Sequence, residues 1–219
     1  MKKVSVVLLA LLAVLPLTRA FAQQAGEAPA APERGAEMEE RLRLATSSAD
    51  YPVTPGDVYE LRYQQGNTTV TTRVMVEGDY TVNLGVFGRM SVGGMSFPLL
   101  KQSVENVISG SYARSMPLFS IASLGVFNVF VRGETPRARY VTAWALTRLS
   151  DVIQDLQGPY ASLRSVEVLS REGRSQRYDL FRAMRFGDRS QDPYVRPDDT
   201  VILTRSERRV QVLGEVRQP

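Results

Sequence analysis

The sequence predicts an α+β fold built as two small units in tandem. Two observations carry the prediction. Short runs of β-branched and aromatic residues, each closed by a Gly or Pro turn, recur from Tyr51 to Leu203. Each series contains one segment with helical apolar spacing: Leu100, Val104, Val107 and Ile108 in the first, and Leu149, Val152, Ile153 and Leu156 in the second. A chain of 219 residues has room for one or two cores, and 43% hydrophobic with 23% charged residues is a globular composition.

The chain opens on a secretory leader, 1–22. Lys2-Lys3 is the positive start, Val4–Leu17 is almost wholly apolar, and Ala20-Phe21-Ala22 is an A-x-A site that places cleavage between Ala22 and Gln23. The apolar run is short for a membrane span. Residues 23–50 are rich in Ala, Glu and Pro and read as a disordered spacer, with a turn or two of helix over Glu37–Leu44 and a Glu39–Arg43 pair.

The first unit, 51–116, starts at a Pro55-Gly56 turn, where Pro fixes φ and Gly accepts φ > 0. Strands are expected over Val58–Tyr63, Thr69–Val76 and Tyr80–Leu84, with Gly78-Asp79 turning the chain. Met90 and Val92 alternate with Arg89 and Ser91. Gly93-Gly94 then leads to a helix capped by Ser96, with Pro98 in its first turn.

The second unit, 117–206, opens with a strand region over Leu118–Val131 that Gly125 interrupts. Thr147 is the expected cap of its helix and Gly158 the residue just past its end. Val166–Leu169 and Gln176–Leu180 flank a Glu172-Gly173 turn as a hairpin, and Thr200–Leu203 is a further strand. The pattern V-x-V-x-G-E occurs at Val129–Glu134 and again at Val210–Glu215, 81 positions on, so Gly133 and Glu134 correspond to Gly214 and Glu215. Val53–Asp57 has a similar echo in Val195–Asp199. Residues 207–219 are read as the start of a second repeat, or as a strand closing the sheet beside Thr200–Leu203. The stop at Pro219, just after the repeat begins, reads as a piece of a longer chain.

The first unit resembles the N-terminal domain of the outer-membrane polysaccharide export proteins, the group that includes the Wza-like capsule translocon. The shared positions are Pro55-Gly56-Asp57, Val82, Leu84, Gly88, Met90, Val92, Gly94 and Ser96. The sequence departs from the family at Gly85, where Pro is common, and in the order Gly78-Asp79. Strand, helix, hairpin, R-P-D-D and strand in the second unit resemble the soluble-ligand-binding β-grasp (ubiquitin-like) domain of the same proteins. There the family's P-G and G-G loops read Pro136-Arg137 and Gly158-Pro159. No Cys follows the leader, so the lipid anchor of several relatives is absent from the pattern.

Composition removes several chemistries. With no Cys and no His, disulfides, thiolate or imidazole metal sites and a Ser-His-Asp triad are excluded. Subtracting Lys2, Lys3 and Arg19 from 27 basic residues leaves 24 against 23 acidic ones, so the mature chain has no charge case for nucleic acid. Asp57, Asp198 and Asp199 stand beside turns, where their expected work is hydrogen bonding to nearby backbone. Gly93-Gly94 lacks the G-K-[ST] of a phosphate loop. Tyr140 and Trp144 have the chemistry to stack on sugar rings, core packing being the other role for Trp144. Arg137 and Arg139 suit an acidic glycan, a neighbouring subunit or plain solvent. Arg171–Arg189 reads as an exposed mixed surface.

The resemblance implies a periplasmic, outer-membrane-associated, non-enzymatic component of a capsule or exopolysaccharide conduit. It implies a homo-oligomeric ring, polysaccharide as cargo, an inner-membrane co-polymerase or export component as partner, and no cofactor. A stand-alone periplasmic ligand-binding β-grasp module is the alternative, and a glycan hydrolase, which needs two facing carboxylates, a distant third.

Overall fold

A computed structural model describes residues 31–207, with side chains from residue 35 onward. The leader, the Ala22–Gln23 cleavage site and the second repeat start with Gly214 and Glu215 lie outside the described residues. The fold is mixed α+β, with one three-stranded, one five-stranded and one two-stranded sheet.

In the three-stranded sheet β1 (Val58–Gln65) lies between β2 (Thr68–Met75) and β5 (Leu118–Ser123), antiparallel to both. Strand alternation turns Tyr59, Leu61 and Tyr63 to one face, where all three are buried. Helix α2 (Phe97–Ser111) lays Leu100, Val104 and Ile108 on that face, each fully buried. Each such side chain contributes about 1.5–3 kcal/mol of transfer free energy before entropy is subtracted. Ser96 precedes the helix as expected, but its side chain makes no cap hydrogen bond; Pro98 in the first turn sets the start. A small hairpin, β3 (Thr81–Asn83) with β4 (Arg89–Ser91), adds Val82, Leu84 and Val92 to the same core.

After Leu124-Gly125 the chain enters the five-stranded sheet. Its strands are β6 (Val126–Gly133), β7 (Arg139–Trp144), β8 (Ala161–Leu169), β9 (Ser175–Tyr178) and β10 (Thr200–Arg205). Their spatial order is β7-β6-β10-β8-β9, and β10 runs parallel to β6 while every other pair is antiparallel. Helix α3 (Leu149–Ile153) crosses between the two hairpins with Leu149, Val152 and Ile153 buried. Leu156, just beyond its end, is buried with them. Helix α4 (Leu180–Phe186) adds Leu180 to this core.

Four expectations are corrected. Residues 23–50 do not read through as a spacer: α1 (Ala31–Ser47) is a 17-residue helix. Among its described side chains the ion pairs are Glu37–Arg41 and Glu40–Arg43, in place of the expected Glu39–Arg43. Ala45 of α1 is fully buried beside Tyr51, Leu124 and Ala145. Thr147 does not cap α3; its hydroxyl accepts the Trp144 N–H (3.0 Å), and the helix starts after Arg148, whose N–H donates to Asp151 (3.0 Å). Gly158 does not end that helix either. Its N–H donates to the Glu134 carbonyl (2.9 Å), and a Cβ there would stand 2.8 Å from that oxygen, so close backbone approach selects Gly. The reading of residues 207–219 as a strand closing the sheet beside Thr200–Leu203 falls, past residue 207, outside the described residues; β10 itself pairs with β6 on one side and β8 on the other.

Candidate functional site

The Pro55-Gly56-Asp57 turn forms the junction of the molecule. Asp57 N–H donates to the Thr54 carbonyl (3.0 Å), and Gly56 takes φ +91° as that turn requires. The Asp57 side chain is fully buried. Its Oδ2 accepts the Thr54 N–H (2.9 Å) and the Tyr59 hydroxyl (3.0 Å). Its Oδ1 accepts the Tyr51 hydroxyl (3.0 Å) and the Gly125 N–H (2.7 Å). Burial pushes this carboxyl above the usual aspartate range although the four donors pull the other way. The same burial, with the carboxylate beside them, pushes both tyrosine hydroxyls up and keeps them protonated. Gly125 lies between the two sheets, and a Cβ on it would come within 2.5 Å of the Pro55 carbonyl oxygen.

The echo at Val195–Asp199 has the same geometry. Asp199 Oδ2 accepts the Arg196 N–H (2.8 Å), and the Asp199 N–H returns to the Arg196 carbonyl (3.2 Å). Asp198 takes φ +66° where Gly56 stands in the first copy. Val53 and Val195 are both buried, and each turn leads into a buried strand. Burial also raises the Asp199 carboxyl. These carboxylates therefore hold turns, as their positions in the sequence suggested; Asp198, by contrast, faces solvent and pairs with Arg171 (3.4 Å).

Of the family-pattern glycines, Gly88 (φ +89°) closes the short helical turn Gly85–Phe87, and Gly94 (φ +75°) leads out of β4. Gly133 ends β6 against the Leu203 carbonyl, and the Glu134 N–H donates to that same carbonyl (2.8 Å). Glu134 also pairs with Arg205 (3.7 Å).

Most of the candidate contact residues from the sequence gather at the β6–β7 loop and the start of β7. Arg137, Arg139 and Tyr140 line an open groove of about 500 Å³ with Asp155 and Leu156 at the end of the α3 segment. Tyr140 is 69% exposed, and its ring leans on Phe130 with centroids 4.9 Å apart. No ion pair engages Arg137 or Arg139 among the described residues. Trp144 is not part of this groove. It sits half-buried at the other end of β7, packed with Ala45, Tyr51 and Leu124, with the Arg41 guanidinium 5.7 Å from its ring. Sequence reasoning missed Asp155 and Phe130 here, and Tyr51 and Tyr59 at the junction. For Tyr59 the signal was available: a Tyr on the apolar face of a strand needs a partner for its hydroxyl.

A comparison with the models of known protein families finds no match.

Proposed function

We propose that this protein is a non-catalytic, periplasmic component of a polysaccharide export conduit, acting as a homo-oligomeric ring associated with the outer membrane. The observation that carries the reading is the strand order β7-β6-β10-β8-β9. Numbered within the unit it is 2-1-5-3-4, with the last strand parallel to the first and one helix between two hairpins, the arrangement expected of a β-grasp domain. That unit follows a smaller helix-on-sheet unit led by the Pro55-Gly56-Asp57 turn, as in the export proteins. In this reading the cargo is polysaccharide, the partner an inner-membrane co-polymerase or export component, and secretion uses the leader before Gln23.

Light scattering of the mature protein after gel filtration tests the reading. A large closed oligomer, visible as rings by electron microscopy, is the expected result. Deleting the gene should deplete surface polysaccharide. A monomer at all concentrations, with normal polysaccharide in the deletion strain, would overturn the proposal.

A further inference from the structure

We infer that the β6–β7 groove is a subsite for an acidic saccharide, a polymer carrying carboxylates such as uronic acids. The inference deepens the export reading by naming a cargo class, and it rests on that reading only for the ligand being a glycan. Three kinds of group converge on the groove. Tyr140 offers an exposed aromatic face, and Phe130 behind it holds the ring in place, so little freedom is lost when a sugar ring stacks on it. Arg137 and Arg139 supply guanidinium donors that fit a carboxylate and are not used by an ion pair among the described residues. Asp155 supplies an acceptor for sugar hydroxyls.

The contrast with the neighbouring cation is informative. Arg205 pairs with Glu134 and lies over the Tyr160 ring, at 4.8 Å from its centroid, so its charge is engaged within the protein. An acidic peptide would need only the arginines. The propped Tyr140 face and the Asp155 acceptor favour a saccharide.

The experiment is a calorimetric titration of the mature protein at low salt with tetragalacturonate, with neutral maltotetraose and with tetraglutamate. Tetragalacturonate should bind saturably, at least about tenfold tighter than either comparison ligand, which corresponds to about one power of ten in the dissociation constant. Arg137→Gln with Arg139→Gln should weaken it at least about tenfold, and Tyr140→Ala should do the same through loss of stacking. All three side chains are exposed, and unchanged circular dichroism will show that the variants fold. Equal binding of maltotetraose would overturn the acidic specificity. Equal binding of tetraglutamate with no effect of Tyr140→Ala would identify a peptide dock and overturn the inference, as would failure of tetragalacturonate to bind at millimolar concentration. Binding by a monomeric chain would uphold the subsite while the ring fails, and a ring that binds none of the three would leave the conduit standing without it.

Discussion

Asp57 has two carboxylate oxygens, and each meets one backbone N–H and one tyrosine hydroxyl. This arrangement makes the residue hard to replace. In Asp57→Asn the amide nitrogen, on whichever side it lies, faces a backbone N–H that cannot turn away: Gly125 on one side, Thr54 on the other. A tyrosine hydroxyl can rotate to accept, but a peptide N–H cannot. Leaving one buried donor without an acceptor costs roughly 1–3 kcal/mol. Urea unfolding should show a loss of that size, and an unchanged midpoint and slope would refute the assignment. The partner turn allows a test of pH dependence. The Asp199 carboxyl is raised by burial, so its folded midpoint lies above its unfolded one. Between the two the folded chain holds a proton that the unfolded chain has released. This contribution therefore favours folding at low pH and fades as pH rises through the folded midpoint. Wild type should gain stability relative to Asp199→Asn as pH falls through that window; a gap that moves the other way would contradict the raised value.

At the scale of elements, the turn from β4 to α2 depends on Gly94. With φ +75° the position suits Gly and strains a β-branched residue, although the space around it is open. Gly94→Val should cost roughly 1–3 kcal/mol, read as a lower melting temperature of a chain that still folds. Much of this level was legible in the sequence. The spacing of Leu100, Val104 and Ile108 marked the buried face of α2, and the echo of Val53–Asp57 in Val195–Asp199 marked two turns of one geometry. What escaped depended on partners far along the chain. Locally, Gly158 before Pro159 is indistinguishable from a helix end; its actual constraint is the Glu134 backbone 24 positions earlier (158 minus 134). Strand β7 and helix α4 were also missed: Arg and Tyr at exposed positions of β7 dilute its pattern, and Asp179, expected inside a strand, caps α4 by accepting the Arg182 N–H (3.0 Å). Of the groove, the arginines and Tyr140 were visible in the sequence. Asp155 reaches it because the segment after α3 returns to the end of β6, where the Gly158 N–H meets the Glu134 carbonyl. Helix α1 was hidden by composition, since an Ala- and Glu-rich segment is amphipathic only through a few small contacts such as Ala45. A chain shortened to begin at Ser48 tests those contacts. Trp144, the only Trp, should become more exposed and its emission should shift to the red; no shift would mean that α1 does not cover it.

At the scale of the whole molecule, the question is whether the two sheets behave as one body. Three features couple them. Leu124-Gly125 is a two-residue link between β5 and β6. Asp57 holds the Gly125 N–H from the turn that leads β1. A third small core, with Ala45, Tyr51, Leu124 and Ala145 buried and Phe97, Ile121 and Trp144 packed against them, draws side chains from α1 and from both sheets. Contacts of this kind make unfolding of one unit expose apolar surface on the other, so the units should unfold together. Trp144 reports the junction, while far-ultraviolet circular dichroism reports both sheets. In wild type the two signals should follow one urea transition. Gly125→Ala puts a Cβ 2.5 Å from the Pro55 carbonyl and 2.8 Å from the Asp57 nitrogen, so the backbone must separate there. Overpacking of this kind costs roughly 1–3 kcal/mol, and here it falls on the coupling more than on either sheet. In this variant the fluorescence transition should precede the dichroism transition, and the dichroism should resolve into two steps. Coincident transitions in Gly125→Ala, or two separate steps already in wild type, would show that the junction does not couple the two units.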